Sequence, residues 1–511
     1  STFGSVSCAP LGCMLRGLVY LAQRINQLDA PGFRTWEPSA YFQDDWRVMT
    51  RLTLNLGVRY DLFTPFTESH DRLSNFNPYT ATVMVAGVDG VSSTDGIATD
   101  YSNVAPRIGF AFAALPKTVL RGGFGMTYIP VSSGAKTALG NAPYVYNYRS
   151  KYNTTKLSDG LPTPVKQDPS TLSTSSVPFT LAGIDPNYRS AYIEQFNLTL
   201  QQQIGQSTIS ISYVGELGKH LRLNNNQNLA LPGYNSCPTT TTSPSTSCYQ
   251  SSLPFYKTYP ELTTANEMTS NGFSNYNALQ VVFSRRFTKS LGLNANYTLA
   301  HGLNDVANYA LGSASNGVIP SETKTLDYGN SDLDIRNRFG MLLNYALPFG
   351  ESARGLKRTV IRGWQTNATL VLSGGLPFSV TDDTAYSNTG VAGGDERALQ
   401  VGNPNDLKSR SINGWFDTTA FTHQVFATYV PMRRNSLYGP AYRAFNVSGF
   451  KSFQMTERYK LQFRTEVFNL TNTPNFAQPD AGVGDSGIGT ISSTRLGSSP
   501  RQIQFALKVL F

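Results

Sequence analysis

The sequence predicts an all-β protein that crosses a membrane as an antiparallel β-barrel. Three observations carry that reading: strands that alternate apolar and polar residues many times over, connections that take turns between short and long, and a last strand that ends on an aromatic residue. Composition agrees. Only 15% of the 511 residues are charged, against roughly 25% in soluble proteins. With 27 Tyr, 29 Phe and 44 Gly, the chain is rich in residues that suit pleated strands and polar turns. No stretch reaches the ~18 uninterrupted apolar residues of a spanning helix, and the most apolar early segment, 11–22, is broken by Arg16. Backbone polar groups in lipid must pair with one another, so a membrane chain without such helices is left with a barrel. One apolar face per strand suffices for this, in keeping with a mean hydropathy of −0.25.

Residues 1–35 read as the remnant of an upstream barrel strand and loop, and 36–511 as barrel wall. The chain opens Ser-Thr-Phe-Gly, with no Met, basic start or apolar export core, so a protein of this kind is expected to begin upstream of Ser1. Strands are expected at 38–48, 51–62, 104–114, 118–129, 191–203, 207–217, 274–287, 290–301, 335–346, 362–376, 442–453, 457–470 and 500–511. In the second, Leu52, Leu54, Leu56, Val58 and Tyr60 alternate with Thr53, Asn55, Gly57 and Arg59, so one face is apolar and the other polar. The same period separates Leu120 and Phe124 from Arg121 and Gly125, and Leu198 and Leu200 from Asn197 and Thr199. It recurs where Leu291, Leu293 and Tyr297 alternate with Asn294 and Asn296, and where Leu461, Phe463 and Val467 face away from Gln462, Arg464 and Glu466.

A soluble sandwich also alternates; the connections separate the two. Those at 49–50, 115–117, 205–206, 288–289 and 455–456 are a few residues long, whereas 63–103, 130–190, 218–273, 302–334, 377–441 and 471–499 each run to tens of residues. The connection at 347–361 is intermediate. Short turns on one rim and long loops on the other are the mark of a bacterial outer-membrane barrel, with periplasmic turns and extracellular loops. The last strand adds independent weight. Ile503, Phe505, Leu507, Val509 and Phe511 share one face, and a terminal aromatic in that phase resembles the signal that the barrel assembly machinery reads.

Several segments resemble TonB-dependent outer-membrane transporters. They are Tyr41-Phe42-Gln43-Asp44-Asp45-Trp46-Arg47 followed by Arg51 to Asp61, Ala105 to Phe110, Leu120 to Gly125, Asp334 to Phe339, Phe463 to Asn472 and the terminal strand. The pattern is most similar to the Oar-like subgroup. The resemblance implies a barrel of about 22 strands around a plug, of which this chain carries roughly the last 13, without the plug or the TonB-contacting segment. It implies energy-coupled uptake of a large, scarce nutrient: an oligosaccharide, siderophore or peptide. The implied partners are outer-membrane lipid, the assembly machinery, the TonB complex through the missing plug, and an unknown nutrient ligand. A surface protein that uses the barrel as anchor and the loops for adhesion is the other reading. So few strands cannot close with the tilt and register of the larger wall, so an open curved sheet or a smaller closure is expected.

No catalytic constellation, cofactor site or metal site is evident. Cys237 and Cys248 bracket a stretch of Pro, Thr and Ser, which fits a disulfide made in an oxidising compartment or two unpaired loop thiols; Cys8 and Cys13 form a second candidate pair. Zinc finds no ligand set, because His70, His220, His301 and His423 stand away from the Cys pairs. Asp44 and Asp45 point to opposite faces, which argues against a shared acid–base role, and Asp382-Asp383 with Asp395 and Glu396 is either solvated or a Ca²⁺ site. The net charge of +9 is scattered, with no dense run that would suit nucleic acid.

Function in such a barrel would lie on the lumenal face and in the loops. Arg59, Asp61, Arg121, Asn294, Asn296, Arg464 and Glu466 are expected to face the lumen, where they hydrate it, bond the plug or touch substrate. Two loop clusters, Tyr144, Tyr146, Tyr148 and Tyr152, and Tyr249, Phe255, Tyr256 and Tyr259, are candidates for stacking on a sugar or an aromatic siderophore. Such residues can equally pack loops together or form an interfacial girdle. The glycines of Gly122-Gly123-Phe124-Gly125 sit mid-strand and read as relief where another backbone or the plug approaches.

Overall fold

The computed structural model describes residues 10–131, 133–151, 154–231, 250–288, 290–306, 327–352, 354–382, 387 and 396–511. Its wall is an antiparallel meander of strands β1 (Ser39–Met49), β2 (Leu52–Asp61), β3 (Val104–Leu115), β4 (Thr118–Ile129), β5 (Ala191–Ile204), β6 (Ser207–Asn226) and β7 (Leu262–Thr288). It continues through β8 (Leu291–Asn304), β9 (Asn337–Ala346), β10 (Trp364–Ser373), β11 (Tyr442–Gln454), β12 (Lys460–Phe468) and β13 (Gln502–Leu510). Each strand pairs with its neighbours in sequence, so the order across the sheet is the order along the chain. Two short strands, Phe179–Ile184 and Gly329–Asn330, join β7 and β8 from the loop side. Among the described residues no pairing joins β1 to β13, and the sheet is open. No helix is long and apolar enough to cross a membrane among the described residues.

The register shows why the period-two pattern yields this wall. Leu52, Phe112, Leu120, Leu200, Ile211, Val281, Tyr297, Phe339 and Leu372 stand opposite one another in turn, a single apolar row from β2 to β10. One residue away, Thr53, Ala111, Arg121, Thr199, Ser212, Gln280, Thr298, Arg338 and Ser373 form a second, mostly polar row on the other face. A slip by one residue in any strand would put apolar side chains into the polar row, which is what holds the register. The apolar face is outward and uncovered: in this row Leu200 is 46% exposed and Ile211 43%, and on β13 Phe505 is 68% exposed. That is a lipid-facing surface, with polar side chains turned to the concave side.

Glycine serves the outer face at two points. The Phe196 ring lies flat over Gly215, where a Cβ would come within 2.2 Å of it, and the Phe110 ring lies over Gly122, where the distance would be 2.4 Å. The crowding neighbour of Gly122 is therefore an aromatic ring of the adjacent strand.

The strand bounds expected from sequence differ most at the β6–β7 hairpin, which extends beyond 217 and begins before 274. Register shifts between Gly218 and Leu221 and between Leu221 and Leu223, with His220 at φ 53°, interrupt the alternation there. A bulge moves the following residues to the other face, so the period that reveals a strand stops at Gly218 although pairing continues to Asn226.

The densest packing lies above the long-loop rim. Phe76, Phe179, Leu181, Phe255, Tyr259 and Leu262 form one buried cluster; Leu73, Ala135, Leu139, Ile184, Tyr188 and Met268 form a second beside it, both built from the first three long loops. Phe378, Val380, Phe416, Phe421, Met432 and Leu437, with Val483 packed alongside, form a third from the last two. The described part of 1–35 joins these caps: Gln23–Gln27 pairs with Val145–Arg149, and Phe33–Arg34 with Thr67–Glu68. Helix α1 (Pro10–Leu15) carries Cys13, which is disulfide-bonded.

Candidate functional site

The polar face of β2 to β4 gathers the charged residues expected in the lumen. Arg59 and Asp61, two apart on one strand and hence on one face, form a bidentate pair: Arg59 Nε donates to Asp61 Oδ1 at 2.9 Å and Oδ2 at 3.0 Å, and Nη2 lies 2.8 Å from Oδ1. The same spacing recurs on β12, where Arg464 Nε lies 3.3 Å from Glu466 Oε1. Arg464 also stacks on Phe450, 5.5 Å from the ring centre. Asn296 lies against Gly340 of β9, and Asn294 stands opposite Ser284 in the same lumenal row. Arg121 meets no hydrogen-bond or ion-pair partner among the described residues, and neither does Arg107 of β3.

Between these arginines the wall is bare backbone. Gly57, Gly109, Gly123 and Gly125 share the lumenal phase, with Gly57 and Gly125 both opposite Arg107 and Gly109 opposite Gly123. None of the four has a positive φ, and a Cβ at Gly109, Gly123 or Gly125 would meet its nearest neighbour at 3.5 to 3.7 Å, an ordinary contact. At these three the wall itself does not require glycine, whereas a Cβ at Gly57 would crowd the Phe42 carbonyl at 3.3 Å; together the four residues clear a bay. At its loop end is a hollow of about 280 Å³ lined by Glu37, Arg59, Asp61, Arg107, Thr127 and Tyr128. Sequence reasoning did not single out Glu37, Arg107 or Tyr128, although the phase of Arg107 relative to its glycine neighbours carries the signal.

Of the described loop aromatics, Tyr146, Phe255 and Tyr259 are buried, and Tyr144, Tyr148 and Tyr256 are half-buried. The Phe76 ring meets Phe255 and Tyr259 edge-on, with centroids 5.3 and 6.3 Å away, and Phe179 meets Tyr259 at 6.1 Å. The Tyr259 hydroxyl donates to the Ala81 carbonyl at 2.9 Å. Tyr146 is buried in the strand that pairs with Gln23–Gln27, and Tyr148 stands opposite Arg24. Tyr144 donates to the Asp71 carbonyl at 3.3 Å, and Tyr256 packs on Ala230 and Leu253. These residues hold the loops together. Tyr152, Tyr249, Cys237 and Cys248 lie outside the described residues, as do Asp383 and Asp395.

Buried carboxylates shape the caps. Burial disfavours the charged form of Glu68, but the N–H groups of Gly32, His70 and Arg72 and the Ser69 hydroxyl donate to it and hold it down at about 2. Asp95 is fully buried, no side-chain or backbone donor among the described residues reaches its carboxylate, and burial pushes it up to about 8. In the other cap, Asp382 accepts from the Gln424 N–H at 3.0 Å and lies 2.9 Å from His423 Nδ1. Burial raises its neighbour Glu396 to about 7. Among the described residues no group of three or more His, Cys, Asp or Glu side chains is placed to hold a metal ion.

Comparison with solved structures returns large outer-membrane proteins. The outer membrane transporter YddB from Escherichia coli is 10% identical, with a TM-score of 0.46 over 93% of this chain and 45% of that one. The ferripyoverdine receptor of the outer membrane of Pseudomonas aeruginosa is 9% identical, with a TM-score of 0.43 over 94% of this chain and 39% of that one. The copper transporter OprC is 11% identical, with a TM-score of 0.40 over 93% of this chain and 48% of that one. The chain thus spans less than half the length of each. Comparison with curated proteins gives no match. The family model described as an outer membrane beta barrel domain matches residues 2–504. With nearly the whole chain matched, an outward apolar face and folded loops on one rim, the protein belongs to this outer membrane beta-barrel family and resides in the outer membrane.

Proposed function

We propose that the chain is the C-terminal part of the wall of a TonB-dependent transporter, the last 13 of about 22 strands, and that the whole protein takes up a large, scarce nutrient. The observation that carries this reading is the cleared lumenal bay on β2 to β4, where Gly57, Gly109, Gly123 and Gly125 leave bare backbone beside the unpartnered Arg107 and Arg121. A wall that encloses only water has no use for such a clearing; a wall packed against a plug does. In this reading Arg59, Asp61, Arg121, Asn294, Asn296, Arg464 and Glu466 bond the plug or the passing ligand, and TonB acts through the plug. The nutrient is an oligosaccharide, a siderophore or a peptide.

Growth of a strain lacking the gene, on limiting oligosaccharide, ferric-siderophore or peptide sources, tests the reading. Growth should fail on one source, and removing TonB should reproduce the loss. Unchanged growth on all of them refutes uptake. A second reading, a surface protein anchored by its barrel, is favoured by the loop caps, whose cores hold without any contribution from the lumen. It expects unchanged growth with lost surface adhesion.

A further inference from the structure

The connection between β9 and β10, at the short-turn rim, contains a helix, α2 (Gly355–Ile361). Its position follows from an anomaly on the wall. Lys451 of β11 occupies the lipid-facing phase, opposite Trp364 on one side and Phe463 on the other, yet it is only 3% exposed. Its ammonium donates to the Thr359 carbonyl in the last turn of α2, and it lies 4.9 Å from the centre of the Phe453 ring. Trp364 Nε1 donates to the Val360 carbonyl at 3.0 Å. A cation at the C-terminal end of a helix meets unpaired carbonyls and the negative end of the dipole. The lysine therefore pins α2 against the outside of the wall, on the membrane side of the rim.

The rest of α2 is uncovered. Leu356 is 85% exposed and Val360, one turn on and on the same side, 61%. Arg354, Lys357, Arg358 and Arg362 flank them, all exposed, and none forms an ion pair among the described residues. The apolar side of α2 is continuous with the lipid-facing aromatics, since Trp364 packs edge-on against Phe463 at 6.2 Å and Phe463 stacks on Phe505 at 6.4 Å. An apolar side beside a basic one, at the edge of a lipid-facing belt, is the pattern of a helix that lies in the membrane interface.

We propose that α2 is a phospholipid-binding foot: Leu356 and Val360 enter the acyl region of the periplasmic leaflet, and Arg354, Lys357, Arg358 and Arg362 bind the phosphates of anionic phospholipids. The occupant is a lipid surface, because the apolar residues continue the lipid-facing belt and the flanking charge complements an anionic headgroup.

The test uses the full chain purified in detergent, with bound lipid counted by native mass spectrometry against phosphatidylglycerol or phosphatidylethanolamine. The native chain should retain phosphatidylglycerol preferentially. The double variant Arg354→Gln/Arg358→Gln should weaken that retention about 30-fold, from the loss of two basic contacts, with unchanged phosphatidylethanolamine binding and unchanged barrel folding. Lys451→Gln should speed amide exchange across 355–361 and leave β10 and β11 protected. Equal retention of the two lipids, or a double variant indistinguishable from the native chain, overturns the proposal. So does complete displacement of phosphatidylglycerol by inorganic phosphate, which would mean a bare anion site.

Discussion

Two adjacent substitutions on β6 test which face of the wall meets lipid. Ile211 stands in the apolar row between Leu200 and Val281, and Ser212 in the polar row between Thr199 and Gln280. With β6 beginning at Ser207, a rise of about 3.4 Å per residue and the usual tilt put Ile211 about 10 Å above the short-turn rim, near the middle of an apolar band about 25 Å tall. An arginine on the lipid face at that depth costs about 2–4 kcal/mol. At Ser212 the same arginine enters a hydrated interior and forfeits one hydrogen bond, from Thr199 Oγ1 to Ser212 Oγ at 2.9 Å, a loss of about 1 kcal/mol. Ile211→Arg should therefore be the more destabilising by roughly 1–3 kcal/mol, although the two positions are neighbours. Urea titration of the chain folded into phospholipid bilayers reads the difference. If Ser212→Arg costs as much as Ile211→Arg, or more, the assignment of the two faces is wrong.

Other consequences follow for the caps. Glu68 is held well below its ordinary value, so its contribution is present above pH 4.5 and is lost as the pH falls toward about 2; limited proteolysis after 60–75 should rise across that window in the native chain and be flat in Glu68→Gln. Asp95 behaves in the opposite sense. Its raised value means the folded cap holds a proton that the unfolded segment has released, so stability falls as the pH rises from about 4 to 8, and Asp95→Asn should remove that slope in amide exchange of 74–97, measured after correction for intrinsic rates. Gly183→Ala would put a Cβ 2.1 Å from the Phe76 carbonyl oxygen inside the cap core, and should destabilise the cap by about 1–3 kcal/mol. The wall's heat-modifiable migration on gels should not change.

The wall was legible because its causes are local. Lipid on one side and a polar interior on the other impose a period of two, so Leu52 to Asp61 or Gln502 to Leu510 can be placed, and faced, from a dozen residues alone. The same period puts Arg59 beside Asp61 and Arg464 beside Glu466. It fails where a bulge shifts the phase, as at Gly218 to Leu223.

What only the tertiary structure decided is the order above and beside the wall. Asn75 Nδ2 donates to the Ile184 carbonyl at 2.9 Å and Asn141 Nδ2 to the Ser74 carbonyl at 2.7 Å, contacts between different loops that no period announces. For Phe255 and Tyr259 the sequence leaves ligand stacking, loop packing and an interfacial girdle open, and it is the contact with Phe76, far upstream, that places them in a loop core. Lys451, in the lipid-facing phase of β11, is held by the carbonyl of Thr359 from the connection between β9 and β10, a contact the strand's own residues do not announce. Alternation along a strand follows from the medium on each side and can be read residue by residue. A loop's partner is chosen by which distant segments the register of the wall brings together, and that is information the local sequence does not hold.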